Sequence, residues 1–192
     1  ELGLVGSEMC IRDRNTFALS KFQKILLNHN YTIVLVNQIT EPPNIERQIT
    51  DIISPGTILE TNLDTNYLVS VTIFKYPQQY DKNIYVIGLS SIDVSTGENT
   101  VHRIQSSLND ENIWKDELFR LIHYYSPKEC LFHSEIDLKK EEISNMFQIN
   151  DKSIHYNLYQ NSDFKKPSYQ NEYFKKIFNT GFLTPIEYLG FD

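Results

Sequence analysis

What this sequence has little of narrows it first. It holds two cysteines in 192 residues, too few for a disulfide framework, and that usage suits a reducing compartment. No apolar run approaches the ~20 residues that a membrane-spanning helix needs. Seven prolines and seven glycines are scattered along the chain, so no stretch reads as a low-complexity linker, and no repeat recurs at solenoid or propeller periods. A G-x-x-x-x-G-K-[ST] phosphate loop is missing, so the chain as it stands is not a P-loop ATPase. Basic residues are also short, 18 Lys and Arg against 25 Asp and Glu, for a formal charge of −7. Phosphate neutralisation supplies most non-specific affinity for nucleic acid, so an acidic chain should hold DNA weakly by itself.

What is present is a globular composition, 40% hydrophobic, long enough for one or two cores. Residues 1–14, ending Val5-Gly6-Ser7-Glu8-Met9-Cys10-Ile11-Arg12-Asp13-Arg14, resemble translated sequencing-adapter DNA and lack the apolar core of a signal peptide. They are expected to be non-native and are left out of the fold reading. Without them the chain is still acidic.

Phe17 to Asn30 reads as a helix, with Ser20 as a cap, Phe22, Ile25, Leu26 and His29 on one face, and Asn28-His29-Asn30 as the stop. Tyr31–Val36 is apolar on both faces, as an interior strand is. After the loop Glu41-Pro42-Pro43-Asn44, a segment from Ile45 to Ile53 runs into Ser54-Pro55-Gly56-Thr57. Pro55 fixes its own φ and Gly56 can take a positive one, so the backbone should turn sharply there. Thr61–Asn66 then reads as the joint to a second unit. In that unit, strands are expected at Tyr67–Phe74, Ile84–Asp93 and Asn99–Ile104, with a polar loop from Tyr76 to Asn83. A helix follows, capped by Asp110 and striped by Trp114, Leu118, Leu121, Ile122 and Tyr125, and stopped at Ser126-Pro127. The remaining elements are a strand Glu129–Phe132, a helix Asp137–Phe147, a strand Ser153–Tyr159 and a helix Tyr169–Asn179 with Gly181 as its C-terminal stop. The order β-β-β-α-β-α-β-α is that of a ribonuclease-H-like sheet, antiparallel at first and extended by parallel strands.

Five stretches in order carry a family resemblance: Gln38-Ile39, Arg47, Ile53-Ser54-Pro55-Gly56-Thr57, Asn66-Tyr67-Leu68, and Ile92-Asp93-Val94-Ser95-Thr96-Gly97-Glu98. Together they resemble MutS, the DNA mismatch-recognition ATPase, over about residues 15–192. The resemblance implies an α/β fold in which a partial mixed α/β recognition domain (15–60) precedes a ribonuclease-H-like connector domain (61–192). It implies a fragment of a mismatch-repair protein, with the phenylalanine-and-glutamate reading motif upstream and the clamp, lever and ATPase domains downstream. The whole family member reads DNA indirectly, since an easily unstacked mismatch admits an aromatic wedge at lower cost than paired DNA. ATP and Mg, a homodimer and a MutL-like partner docked on the connector are implied for the full-length protein, inside a cell and away from membranes. Pro42-Pro43-Asn44 and the ending Gly181-Phe182-Leu183-Thr184-Pro185-Ile186-Glu187-Tyr188-Leu189 look most like the branch found in giant viruses and octocoral mitochondria.

For the chain itself no catalytic, cofactor-binding or metal residue is assigned. Asp93 and Glu98, with Glu111, Glu117 and Asp137, are the acids that a stand-alone ribonuclease-H-like nuclease would gather around two Mg²⁺ ions. The alternative reading is that Asp93 hydrogen-bonds its own hairpin turn, and that is the reading taken here. Cys130-Leu131-Phe132-His133 has no second ligand pair at zinc spacing, and His123 and His155 are isolated. Phe164-Lys165-Lys166 with Tyr169, Tyr173, Phe174, Lys175 and Lys176 interleaves charge and rings as single-strand binders do. The i, i+4 spacing of Tyr169, Tyr173 and Ile177 is taken instead as a core-facing stripe. Nuclease, coupling module and plain protein-interaction domain are the functional classes that the sequence carries forward.

Overall fold

Two sheets divide the chain, and the change of sheet falls between Ile53 and Tyr67. The structure is a computed structural model that describes residues 2–5, 10–14, 16–58, 65–78, 82–158, 162–178 and 184, with side chains from residue 19 onward. Residues 1–156 form one compact unit and 157–192 another.

The first sheet is antiparallel, in the order β2-β1-β3-β4, from β1 (Leu2–Val5), β2 (Cys10–Arg14), β3 (Ile33–Gln38) and β4 (Arg47–Ile53). Of the segment 1–14, expected to be non-native, residues 2–5 and 10–14 thus take part in the fold as β1 and β2. The pairing concerns their conformation, not their origin. As expected, β3 is interior, flanked by β1 and β4. Its register with β4 jumps from Leu35↔Asp51 to Val36↔Ile49, which leaves Thr50 as the extra residue of a bulge. Helix α1 (Thr16–Asn28) begins upstream of Ser20, so Ser20 lies inside it rather than capping it. Among the described side chains of α1 the buried one is Leu27, packed with Ile33 and flanked by Leu26, Leu35, Ile53 and Ile58, while Ile25 is 46% exposed. The expected face is thus borne out in part: Leu26 packs there and Phe22 is half-buried, but Ile25 and His29 are exposed. His29 is exposed, and its Nδ1 bonds the Ile25 carbonyl at 2.8 Å. Asn30, at φ 58°, ends the helix as read.

The second sheet has the order β7-β6-β5-β8-β9, from β5 (Tyr67–Pro77), β6 (Asn83–Asp93), β7 (Asn99–Gln105), β8 (Glu129–Ser134) and β9 (Ile154–Tyr156). β5, β6 and β7 pair antiparallel, while β8 and β9 add on parallel. This is the ribonuclease-H-like arrangement. β5 and β6 pair in unbroken register from Tyr67↔Asp93 to Pro77↔Asn83, so the polar loop expected from Tyr76 is shorter than the sequence suggested. Alternation puts Val69, Val71, Ile73, Ile87, Leu89, Cys130 and Phe132 on one buried face. Helix α2 (Ile113–Tyr125) contributes Trp114, Leu118, Ile122 and Tyr125 to this core, and α3 (Lys140–Phe147) contributes Ile143 and Phe147. Each aliphatic side chain so buried contributes roughly 1.5–3 kcal/mol of transfer free energy.

The helix ends follow local chemistry. Asp110, expected as the cap, lies two residues before the cap position Asn112, but its Oδ1 accepts from the N–H groups of Asn112 (3.0 Å) and Ile113 (3.1 Å) and so holds the entry to α2. Ser126, at φ 44°, closes α2 by donating its N–H to the Ile122 carbonyl. α3 starts three residues later than the sequence suggested, at Lys140, where Glu142 Oε2 accepts the Lys139 N–H at 2.8 Å.

In the second unit, α4 (Pro167–Ile177) has Pro167 in its first turn. None of its residues is buried, and Tyr169, Tyr173 and Ile177 are exposed. The core-facing reading of that stripe is corrected, because spacing along a helix defines a face without saying whether anything covers it. Gly181 and most of the chain's ending lie outside the described residues.

Candidate functional site at the joint between the sheets

The stretches that carried the resemblance are dispersed between Gln38 and Glu98, and the fold pairs some of them. Gln38 and Arg47 are paired residues of β3 and β4. Asn66 donates its N–H to Asp93 Oδ1 (3.1 Å), tying two of the stretches together, and its side-chain Nδ2 to the Ile58 carbonyl (2.9 Å), just past a third.

The Ser54–Thr57 turn is closed by its own side chains. The Thr57 N–H donates to the Ser54 carbonyl (3.1 Å), and the Ser54 N–H donates to Thr57 Oγ1 (3.0 Å). Pro55 and Gly56 are buried. Gly56 does not take the positive φ that the sequence suggested; among the described glycines only Gly97 does. What demands glycine at position 56 is space: a Cβ there would lie 2.6 Å from Glu129 Oε2 and 3.1 Å from Glu129 Cβ.

Glu129 opens β8 in the other sheet and is 5% exposed. Its Oε2 accepts from Ser54 Oγ (2.7 Å) and from the Gly56 N–H (3.0 Å), and its Oε1 from His155 Nε2 on β9 (3.1 Å). A buried carboxylate is costly unless its oxygens are hydrogen-bonded, and here three donors from two segments, the turn and β9, serve it. Sequence reasoning did not find this residue. Its only local signal is a charge at the head of an otherwise apolar strand, and the partners lie 73 and 75 residues away.

A second carboxylate lies at the same end of the sheet. Asp93 is 1% exposed. Its Oδ1 also takes the Ser95 N–H (3.0 Å), and its Oδ2 takes the Thr96 hydroxyl (2.9 Å). Burial by itself pushes this carboxyl up; the bonds from Asn66, Ser95 and Thr96 outweigh burial and hold it below its ordinary value of 3.8. This is the hairpin role read from the sequence. Next to it Tyr67 is pushed up, first by burial and then by Glu98 and Asp93.

Of the other acids, Glu98 is exposed at the end of the same hairpin. Glu111 Oε1 accepts the Asn83 N–H, Glu117 pairs with Arg120 at 2.8 Å on the surface, and Asp137 is exposed. Among the described residues no three of His, Cys, Asp and Glu cluster as metal ligands. Cys130 is buried, and burial followed by the Glu129 charge pushes its thiol up to about 12. His123 bonds the Phe147 carbonyl at 3.1 Å. Thus His155 alone of the isolated histidines joins the site. Between α1, Pro55 and Ile58, and Asn66 and Ser95 lies a cavity of about 420 Å³, with Lys24 and Lys128 at its wall.

The fold and this joint define a class, an α/β module whose two sheets are tied through one buried carboxylate. Residues 66–183 match the model of MutS domain II, and the chain belongs to the MutS family. It is 32% identical, over 93% of its length, to a DNA mismatch repair protein MutS homolog of Acanthamoeba polyphaga mimivirus, of which it covers 18%. It is 30% identical to DNA mismatch repair protein MutS of Halothermothrix orenii over 58% of the chain and 12% of that protein. With MutS of Methanosarcina barkeri the figures are 28%, 62% and 14%. The chain thus spans less than a fifth of the length of these relatives. Among the described residues no helix is long and apolar enough to cross a membrane.

Proposed function

We propose that this chain is the part of a MutS-like mismatch-repair protein that joins the mismatch reader to the rest of the molecule. On this reading residues 15–60 end the recognition domain and 61–192 form the connector. The observation that carries it is the joint itself: the turn leaving the first sheet is bonded to a buried carboxylate in the second. The matches to MutS proteins support the same reading. The piece binds and couples; it does not itself turn over ATP, and no residue in it is assigned to catalysis, cofactor or metal. ATP, Mg, dimerisation and mismatch contact belong to the longer protein, and a MutL-like partner would dock on the connector. The protein works inside a cell.

The experiment is to extend the gene on both sides and compare the long protein with this chain on a mismatched and a fully paired duplex. The long protein should prefer the mismatch, and the −7 chain should bind either duplex weakly at physiological salt. Metal-dependent cleavage of DNA or RNA by the chain, abolished in Asp93→Asn, would instead establish the nuclease reading.

A further inference from the structure

Among the described residues no buried apolar cluster spans the two sheets. The Leu27–Ile33 cluster and the large core around Val71 and Leu89 are separate, sharing no buried residue. The 420 Å³ cavity opens between them, walled by residues of α1, of the turn and of the second sheet's edge. Among the described residues, contacts across the joint are few and mostly polar. Lys152 Nζ lies 4.8 Å over the Tyr31 ring, an exposed cation–π contact that water weakens. Asn66 Nδ2 holds the Ile58 carbonyl, but these residues flank the same connection and follow it wherever it goes. The contact of Glu129 with Ser54 and Gly56 is distant in sequence, part-buried at Ser54 and buried at Gly56.

We propose that Glu129 is the positioning residue of the joint, a latch whose carboxylate holds the Ser54–Thr57 turn and so sets the angle between the two sheets. Gly56 lets the turn approach to hydrogen-bonding distance, since a side chain there would occupy the place of Oε2. Ser54 supplies the shortest bond, and Thr57 fixes the turn that presents both donors. His155 holds Oε1 from the neighbouring strand and leaves Oε2 facing the turn. One carboxylate therefore joins β8, β9 and the exit of β4. With the latch gone, the cavity gives the first sheet room to change its angle to the second. This inference stands apart from the proposed function, because a latched joint is measurable whatever the longer protein does.

The test uses the full 192-residue chain with Cys10 replaced by serine and spin labels on Gln48→Cys of β4 and Val101→Cys of β7, both exposed positions. Cys130 is buried and stays unlabelled. Pulsed dipolar spectroscopy should give one narrow distance distribution. Glu129→Ala should broaden it about two-fold or add a second distance, as expected when one orientation becomes several. Gly56→Ala should broaden it too, yet add much less in the Glu129→Ala background, where only the 3.1 Å approach to the residue-129 Cβ remains, an interaction a merely destabilising change would not show. A folded Glu129→Ala protein that keeps the narrow distribution overturns the proposal. Should Glu129→Ala not fold, Ser54→Ala and Glu129→Gln are read instead, and an unchanged distribution in both overturns it equally.

Discussion

The backbone N–H of Gly56 donates to Glu129 Oε2 at 3.0 Å across 73 residues of chain, and the same oxygen would be 2.6 Å from any Cβ at position 56. Bond and steric limit are one fact: the turn comes close enough to be held only because it carries no side chain. Gly56→Ala should therefore destabilise the protein by about 1–3 kcal/mol, as overpacking does. In a Glu129→Ala background most of that cost should vanish. Urea unfolding of the four proteins of the cycle measures it, and simple additivity of the two changes would contradict the contact as described.

Asp93 makes a pH-dependent contribution with a definite sign. Its folded-state pKa lies below the ordinary 3.8, so the ionised form is favoured by folding. The stability it adds is present above the unfolded value and is lost as pH falls through the folded one. Asp93→Asn should lower the melting temperature by an amount that is constant above about pH 5 and shrinks below it. Melting curves across pH 2.5–7 for both proteins should converge at the acid end. A gap that widened there would reverse the sign argued from the hydrogen bonds of Asn66, Ser95 and Thr96.

Cys130 should be chemically silent in the folded protein. It is buried and its thiol is pushed up to about 12, so little thiolate exists at pH 8 and reagent cannot reach it. Peptide mapping after alkylation should find Cys130 unmodified in native protein and modified in urea. Rapid native labelling would mean that β8 opens readily.

Tyr125 ends α2 with its hydroxyl between Thr100 Oγ1 and His102 Nε2, each at 2.7 Å. Thr100 also bonds Ser91 Oγ at 2.6 Å, so the helix is pinned to β6 and β7 through one phenol. Tyr125→Phe should cost about 1–3 kcal/mol, since it leaves partly buried partners short of a bond. Chemical denaturation tests this, and a neutral result would show that water replaces the hydroxyl.

The sequence by itself determined whatever rests on local periodicity and local bonding. Alternation in Tyr67–Phe74 and Ile84–Asp93 marked the strands, Asp110 marked the start of α2, and Asp93 was read correctly as a hairpin residue because its partners Ser95 and Thr96 are neighbours. Tertiary structure decided which helical face is covered. It buried Leu27 of α1 and left Ile25 and the α4 rings exposed, since a hydrophobic stripe becomes core only where another element reaches it. It also decided why Gly56 is glycine. Turn chemistry pointed to a positive φ, whereas the constraint is the arrival of Glu129 from another sheet. Glu129 and His155 stayed illegible for the same reason: a buried carboxylate is defined by its donors, and folding alone brings Ser54, Gly56 and His155 to it.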